Sequence, residues 1–170
     1  MIINIKIILV FILPNRGTEM KSCFFIGHRE APESLAPALS EAIERHISVL
    51  GVKEFVVGAY GAFDRMVARR LAKAKERHPE INLLLLSPYH PAERRIILPE
   101  GFEMSYYPPG MERVPKRLAI VCANRYMIEH CDYLISYVWH PASNARELLE
   151  YAQRLEKKGG ICIENLADLS

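Results

Sequence analysis

A chain of 170 residues is long enough for one well-buried domain and short for two. Half of it is apolar and a quarter charged, an ordinary globular composition. Twenty-two basic residues against twenty acidic ones leave +2, too weak a balance for a surface that coats DNA or receives a strongly acidic substrate.

Met1 to Leu13 is almost continuously apolar, broken by Asn4 and Lys6. It is shorter than the roughly 20 residues a membrane-spanning helix needs. Its basic flank is poor for a secretory signal, and no small-x-small cleavage site follows. Met20 stands just before a convincing first strand, so the domain is expected over residues 20–170. Residues 1–19 then form an upstream extension, with a weak membrane anchor as the other reading.

Ser22 to Ile26 is a short apolar run ending in Gly27, the pattern of a buried strand. Pro32 and Glu33 open a helix. Leu35, Leu39, Ala42, Ile43, His46, Ile47 and Leu50 recur at helical spacing until Gly51 stops it. Glu54 to Val57 reads as a second strand. The helix after it carries Phe63, Val67, Leu71 and Ala74 on one face and ends at Pro79. The aliphatic run Ile81 to Leu86 suits a strand covered on both sides.

From Ser87 to Pro115 the pattern is irregular, with room for one short strand over Phe102 to Ser105. Lys116 to Cys131 predicts a helix and Tyr133 to Val138 a strand. The next helix is expected to start at Asn144, which with Glu147 spells a capping box. Gly159-Gly160 closes it before a last strand, Ile161 to Ile163. No internal repeat is seen after residue 20. Strand and helix alternate throughout, which predicts a Rossmann-like three-layer α/β domain with a mostly parallel sheet of about five strands.

The four cysteines, Cys23, Cys122, Cys131 and Cys162, form no Cys-x-x-Cys pair. Each reads as a small buried residue, not a ligand, in a reducing, cytoplasmic chain. No metal cluster and no Ser/His/Asp arrangement is legible.

An open parallel sheet binds ligands beyond the C-terminal ends of its strands. Four loops therefore matter. In Gly27-His28-Arg29, the glycine permits a sharp turn and Arg29 offers a donor fork for phosphate or carboxylate. The bland reading is a tight turn with two solvated side chains. Gly58-Ala-Tyr-Gly61, with Asp64, enters a helix N-terminus, which favours anions. It is neither the Gly-x-Gly-x-x-Gly fingerprint nor a Walker loop. Asp64 either complements the helix dipole or accepts ribose hydroxyls. Pro88-Tyr89 follows the third strand, and Tyr89 and Trp139 can stack on a base or simply pack at the rim. In the last loop Asn144 is expected to cap its helix, and Ser143 to present a hydroxyl to phosphate. Asn124 and Arg125 lie late in the helix expected over Lys116 to Cys131, where Arg125 either reaches the crevice or pairs with Glu129.

Phe24-Phe-Ile-Gly27-His28-Arg29, Gly58-x-x-Gly61-x-x-Asp64, Pro88-Tyr89 and Asn124-Arg125-x-Met127-Ile128-x-x-x-Asp132 occur in that order. Together they resemble the YpsA-like branch of the SLOG superfamily, which also holds the Smf DNA-processing proteins and the LOG phosphoribohydrolases. The resemblance covers Lys21 to Glu164. It implies a pocket for a nucleotide, an NAD-derived or an ADP-ribose-like ligand, lined by Gly27, His28, Arg29, Gly58, Gly61 and Asp64 and flanked by Asn124 and Arg125. Ser143-Asn144-Ala145 stands where the branch usually has Ser-Gly-Thr, and Glu129 where Asp is common. The Pro-Gly-Gly-x-Gly-Thr signature of the LOG hydrolases is absent. The expected function is thus a sensor-like module that binds a nucleotide and biases a protein partner or a second copy. The alternatives are a hydrolase of an N-glycosidic or phosphoester bond, using Asp64 or Glu147, and an Smf-like DNA-binding module. The near-neutral charge argues against the last.

Overall fold

The computed structural model describes residues 20–169. The expectation for residues 1–19 lies outside them. Six strands form one parallel sheet: β1 (Lys21–Gly27), β2 (Val52–Val57), β3 (Asn82–Leu86), β4 (Met104–Tyr106), β5 (Tyr133–Tyr137) and β6 (Cys162–Asn165), in the order β4-β3-β2-β1-β5-β6. Four helices cover it: α1 (Ala36–Ser48), α2 (Ala62–Arg77), α3 (Ala119–His130) and α4 (Asn144–Glu156). This is the Rossmann-like three-layer arrangement, with one strand more than expected.

Neighbouring residues of each strand go to opposite sides, because the side-chain period is two. Phe25, Phe55, Val57, Leu83 and Leu85 pack under α1 and α2. Phe24, Ile26, Val56, Leu84 and Leu86 pack under α3 and α4. Both faces are buried, which explains the near-continuous apolar runs.

Several boundaries differ from expectation: β2 starts at Val52 in place of Glu54, β5 ends at Tyr137 in place of Val138, and β6 runs Cys162–Asn165 in place of Ile161 to Ile163. The first helix begins as a 3-10 turn at Glu33–Leu35 before α1 proper, with Pro37 inside the opening turn where its missing N–H costs nothing. The third likewise opens with a 3-10 turn, Lys116–Leu118, ahead of α3. The irregular stretch does hold a strand, but over Met104–Tyr106. The segment before it runs across α2 in place of a helix, burying Phe102 with Ile96 and Leu98 packed alongside.

Cys23 and Cys131 are buried as expected, Cys122 is half-buried and Cys162 is exposed. No described helix is long and apolar enough to cross a membrane.

Candidate functional site

Strand order reverses between β1 and β5: β2, β3 and β4 follow on one side of β1, and β5 and β6 on the other. The chains leaving β1 and β5 therefore part company and open a crevice at the C-terminal edge. The loops after β1, β2, β3 and β5, all singled out in the sequence, end at this edge.

His28 spans the reversal. Its Nε2 accepts from two successive backbone amides, Trp139 N–H at 3.1 Å and His140 N–H at 3.0 Å. Nε2 must then be unprotonated, so the proton of the neutral ring sits on Nδ1. Burial holds the His28 imidazolium down, and the neighbouring His140 and Arg146 push the same way. His28 thus ties the β1 loop to the β5 loop through two amides of the latter.

The glycines of the first two loops serve packing. A Cβ on Gly27 would stand 2.4 Å from the Phe63 ring, so the bare backbone lets α2 approach β1. A Cβ on Gly61 would stand 3.1 Å from Arg29 Cα. At that contact Ala62 N–H donates to the Arg29 carbonyl at 2.8 Å, which caps one of the free amides of α2. A Cβ on Gly58 would stand 2.9 Å from Asp64 Oδ2. That oxygen accepts the Tyr60 amide at 2.9 Å. Burial pushes the Asp64 carboxyl up to about 6, against the pull of the Tyr60 amide and of Arg65.

The third loop brings aromatic rings to the edge. Arg94 lies 5.4 Å from the centroid of the Tyr89 ring. Burial raises the Tyr60 phenol, a shift Arg94 opposes and Tyr89 and Asp64 reinforce, so these four groups share one neighbourhood. Pro88 and Tyr89 wall a hollow of about 180 Å³ at the ends of β3 and β4, with Tyr107 and Met111. A larger hollow, about 870 Å³, runs along α2 beneath the Pro99–Glu103 segment, away from the reversal.

In the fourth loop the cap is Ser143, not Asn144. The Ser143 hydroxyl accepts Arg146 N–H at 3.1 Å and donates to the His140 carbonyl at 3.3 Å. Asn144 is the first helical residue and exposed. The cap moves back by one because Ser143, with φ −147° and ψ 155°, has the extended backbone that a cap requires. Arg146 then falls in the first turn beside His28, with its Nε buried and without a hydrogen bond. Trp139 is 55% exposed and meets the His28 ring edge-on at 5.3 Å.

The Asn124-Arg125 pair is not part of this edge cluster. Arg125 lies 5.5 Å over the Tyr151 ring, about two turns into α4, and makes no ion pair with Glu129. Glu129 instead accepts from the Tyr151 hydroxyl. Asn124 is half-buried in α3, and its side chain has no hydrogen bond among the described residues.

Arg94 and Arg146 went unnoticed in the sequence, because an arginine in a loop or a first helical turn reads as solvated. Ion pairs such as Lys53 with Glu80, Arg69 with Glu33 and Arg77 with Glu44 lie elsewhere, while Lys116 with Glu93 borders the hollow beside Tyr89. Arg29, Arg94 and Arg146 have no carboxylate partner among the described residues. No group of three or more His, Cys, Asp or Glu side chains among the described residues could hold a metal ion. In comparison with known proteins, no family model and no curated protein matches the chain.

Proposed function

We propose that the chain binds a phosphorylated aromatic small molecule of the nucleotide class across the strand ends. One observation carries the reading: Arg29, Arg94 and Arg146 surround the edge without carboxylate partners, beside the exposed ring of Trp139 and the half-buried ring of Tyr89. Uncompensated guanidinium groups suit phosphate oxygens, and the rings suit a base. The resemblance to the YpsA-like SLOG proteins supports the same class of ligand, NAD-derived and ADP-ribose-like molecules included, in a cytoplasmic sensor that signals to a protein partner.

The hydrolase alternative has one observation in its favour. Burial pushes the Asp64 carboxyl up to about 6, closer to the neutral range where general acid–base work is done. Its hydrogen bond to the Tyr60 amide and its place behind Gly58 favour a structural role instead.

Thermal denaturation with mononucleotides, NAD and ADP-ribose tests the binding reading. A ligand at a hundred times its Kd adds about 2.7 kcal/mol, a rise of roughly 5–10 °C for a domain of this size. Arg146→Ala and Arg29→Ala should each weaken binding about tenfold or more, the cost of about 1.5–3 kcal/mol for a lost charged hydrogen bond. A melting temperature unmoved by every member of the panel overturns the reading. Chromatography of the same mixtures reports any released base or ribose phosphate.

A further inference from the structure

The ends of β3 and β5 carry the same four-residue turn, aromatic-His-Pro-Ala: Tyr89-His90-Pro91-Ala92 and Trp139-His140-Pro141-Ala142. The likeness extends to the hydrogen bonds. Ala92 N–H donates to His90 Nδ1 at 3.1 Å, and Ala142 N–H donates to His140 Nδ1 at 3.1 Å. Each turn closes on its histidine carbonyl, which accepts Glu93 N–H at 2.9 Å in one and the Ser143 hydroxyl at 3.3 Å in the other. Both Nδ1 atoms are acceptors, so both neutral rings carry their proton on Nε2. Neither Nε2 has a partner among the described residues, and both rings are exposed.

Each turn also sits among the same kinds of neighbour. His90 has the Tyr107 ring edge-on at 5.4 Å, with Tyr89 and Arg94 beside it. His140 has the Trp139 ring edge-on at 5.5 Å, with Arg146 and His28 beside it. A free N–H donor, a ring for stacking and an unpaired guanidinium together suit one aromatic ring and one phosphate. β3 and β5 are three strand spacings apart, about 14 Å. Arg29, at the end of β1, lies between them. A mononucleotide does not cover that distance, and two nucleosides joined through a polyphosphate do.

We infer that the two turns are matched half-sites, and that the ligand is two-headed, with one aromatic, phosphorylated end held at His90 and the other at His140. This rests on the strand edge being a nucleotide site. The hollow of about 180 Å³ beside His90 receives one ring; at its wall Glu112, and the Glu93 oxygen not held by Lys116, accept from an exocyclic amine, which favours adenine over uracil or thymine.

Titration calorimetry with AMP, ADP, diadenosine pyrophosphate and diadenosine tetraphosphate tests this. The wild-type chain should bind two AMP per chain, but one diadenosine molecule about tenfold or more tighter than AMP, since linking two heads makes the second contact intramolecular. His90→Ala and His140→Ala should each lower AMP to one per chain and erase the diadenosine advantage, with melting curves reporting that the variants fold. One AMP per chain, with diadenosine compounds no tighter and His90→Ala without effect, overturns the two-headed ligand while leaving a strand-edge site sensitive to Arg146→Ala. Absence of all nucleotide binding overturns both readings.

Discussion

Asp64 faces two ways. As a carboxylate it accepts the Tyr60 amide, yet burial raises its pKa from 3.8 to about 6. The folded chain then holds this proton more tightly than the unfolded chain. Its contribution to stability is full below pH 4, declines as pH rises through about 6, and stays at its lowest above that. Asparagine keeps an oxygen for the Tyr60 amide and carries no charge. Asp64→Asn should therefore stabilise the fold at pH 8 by roughly 1–3 kcal/mol, with the gain vanishing near pH 4. Urea denaturation at the two pH values measures it, and an equal effect at both would count against the burial argument. The sequence left Asp64 open between the helix dipole and a ribose, and neither option anticipated its bond to the amide of its own loop.

At the scale of elements, the junctions carry the site. Gly27 ends β1 against Phe63 of α2, two rigid elements with no room for a methyl group between them. Gly27→Ala should cost about 2–3 kcal/mol, or roughly 5–10 °C in Tm. Phe63→Leu in the same chain should recover part of that loss, since the two positions share one space. A Gly27→Ala variant with unchanged melting would refute the close-packing role. On the other side, Asn165 at the end of β6 fixes the exit of β5. Its Oδ1 accepts Val138 N–H at 3.0 Å and the Ser136 hydroxyl at 3.1 Å. Its Nδ2 donates to the Val138 carbonyl and to Asp168, each at 3.1 Å. The side chain thus extends the β-ladder by one residue, just before Trp139. Asn165→Ala leaves the Val138 groups unpaired and should cost about 2 kcal/mol. It should also speed hydrogen exchange at the amides of Val138, Trp139 and His140 beyond the rest of β5. Uniform exchange along the strand would show that Asn165 does not govern this exit.

For the whole molecule, strands covered on both faces announced themselves. The runs at Phe24, Val56, Leu84 and Leu134 are apolar because no face meets water. Their loops could then be placed on one edge, since a parallel sheet puts every strand's C-terminus there. β4 was blurred because three residues among prolines carry too little pattern to fix a boundary. The rest of the site depended on convergence. His28 meets residues more than a hundred positions away, and Arg146 becomes its neighbour only once α4 docks. The Arg125 contact was hidden in the same way: its ring partner, Tyr151, sits on another helix. The repeated His-Pro-Ala turn was present in the letters, but four residues are too few to stand out until both are seen closing on the same nitrogen.

The two outer strands have a further consequence. An open sheet ends in unpaired backbone groups on both sides, a template for another chain. Here β4 offers only three residues and β6 four. Ladders that short hold a visiting strand poorly, so association of two copies by continuing the sheet is disfavoured, and any self-association is directed to the helical faces or to the ligand edge.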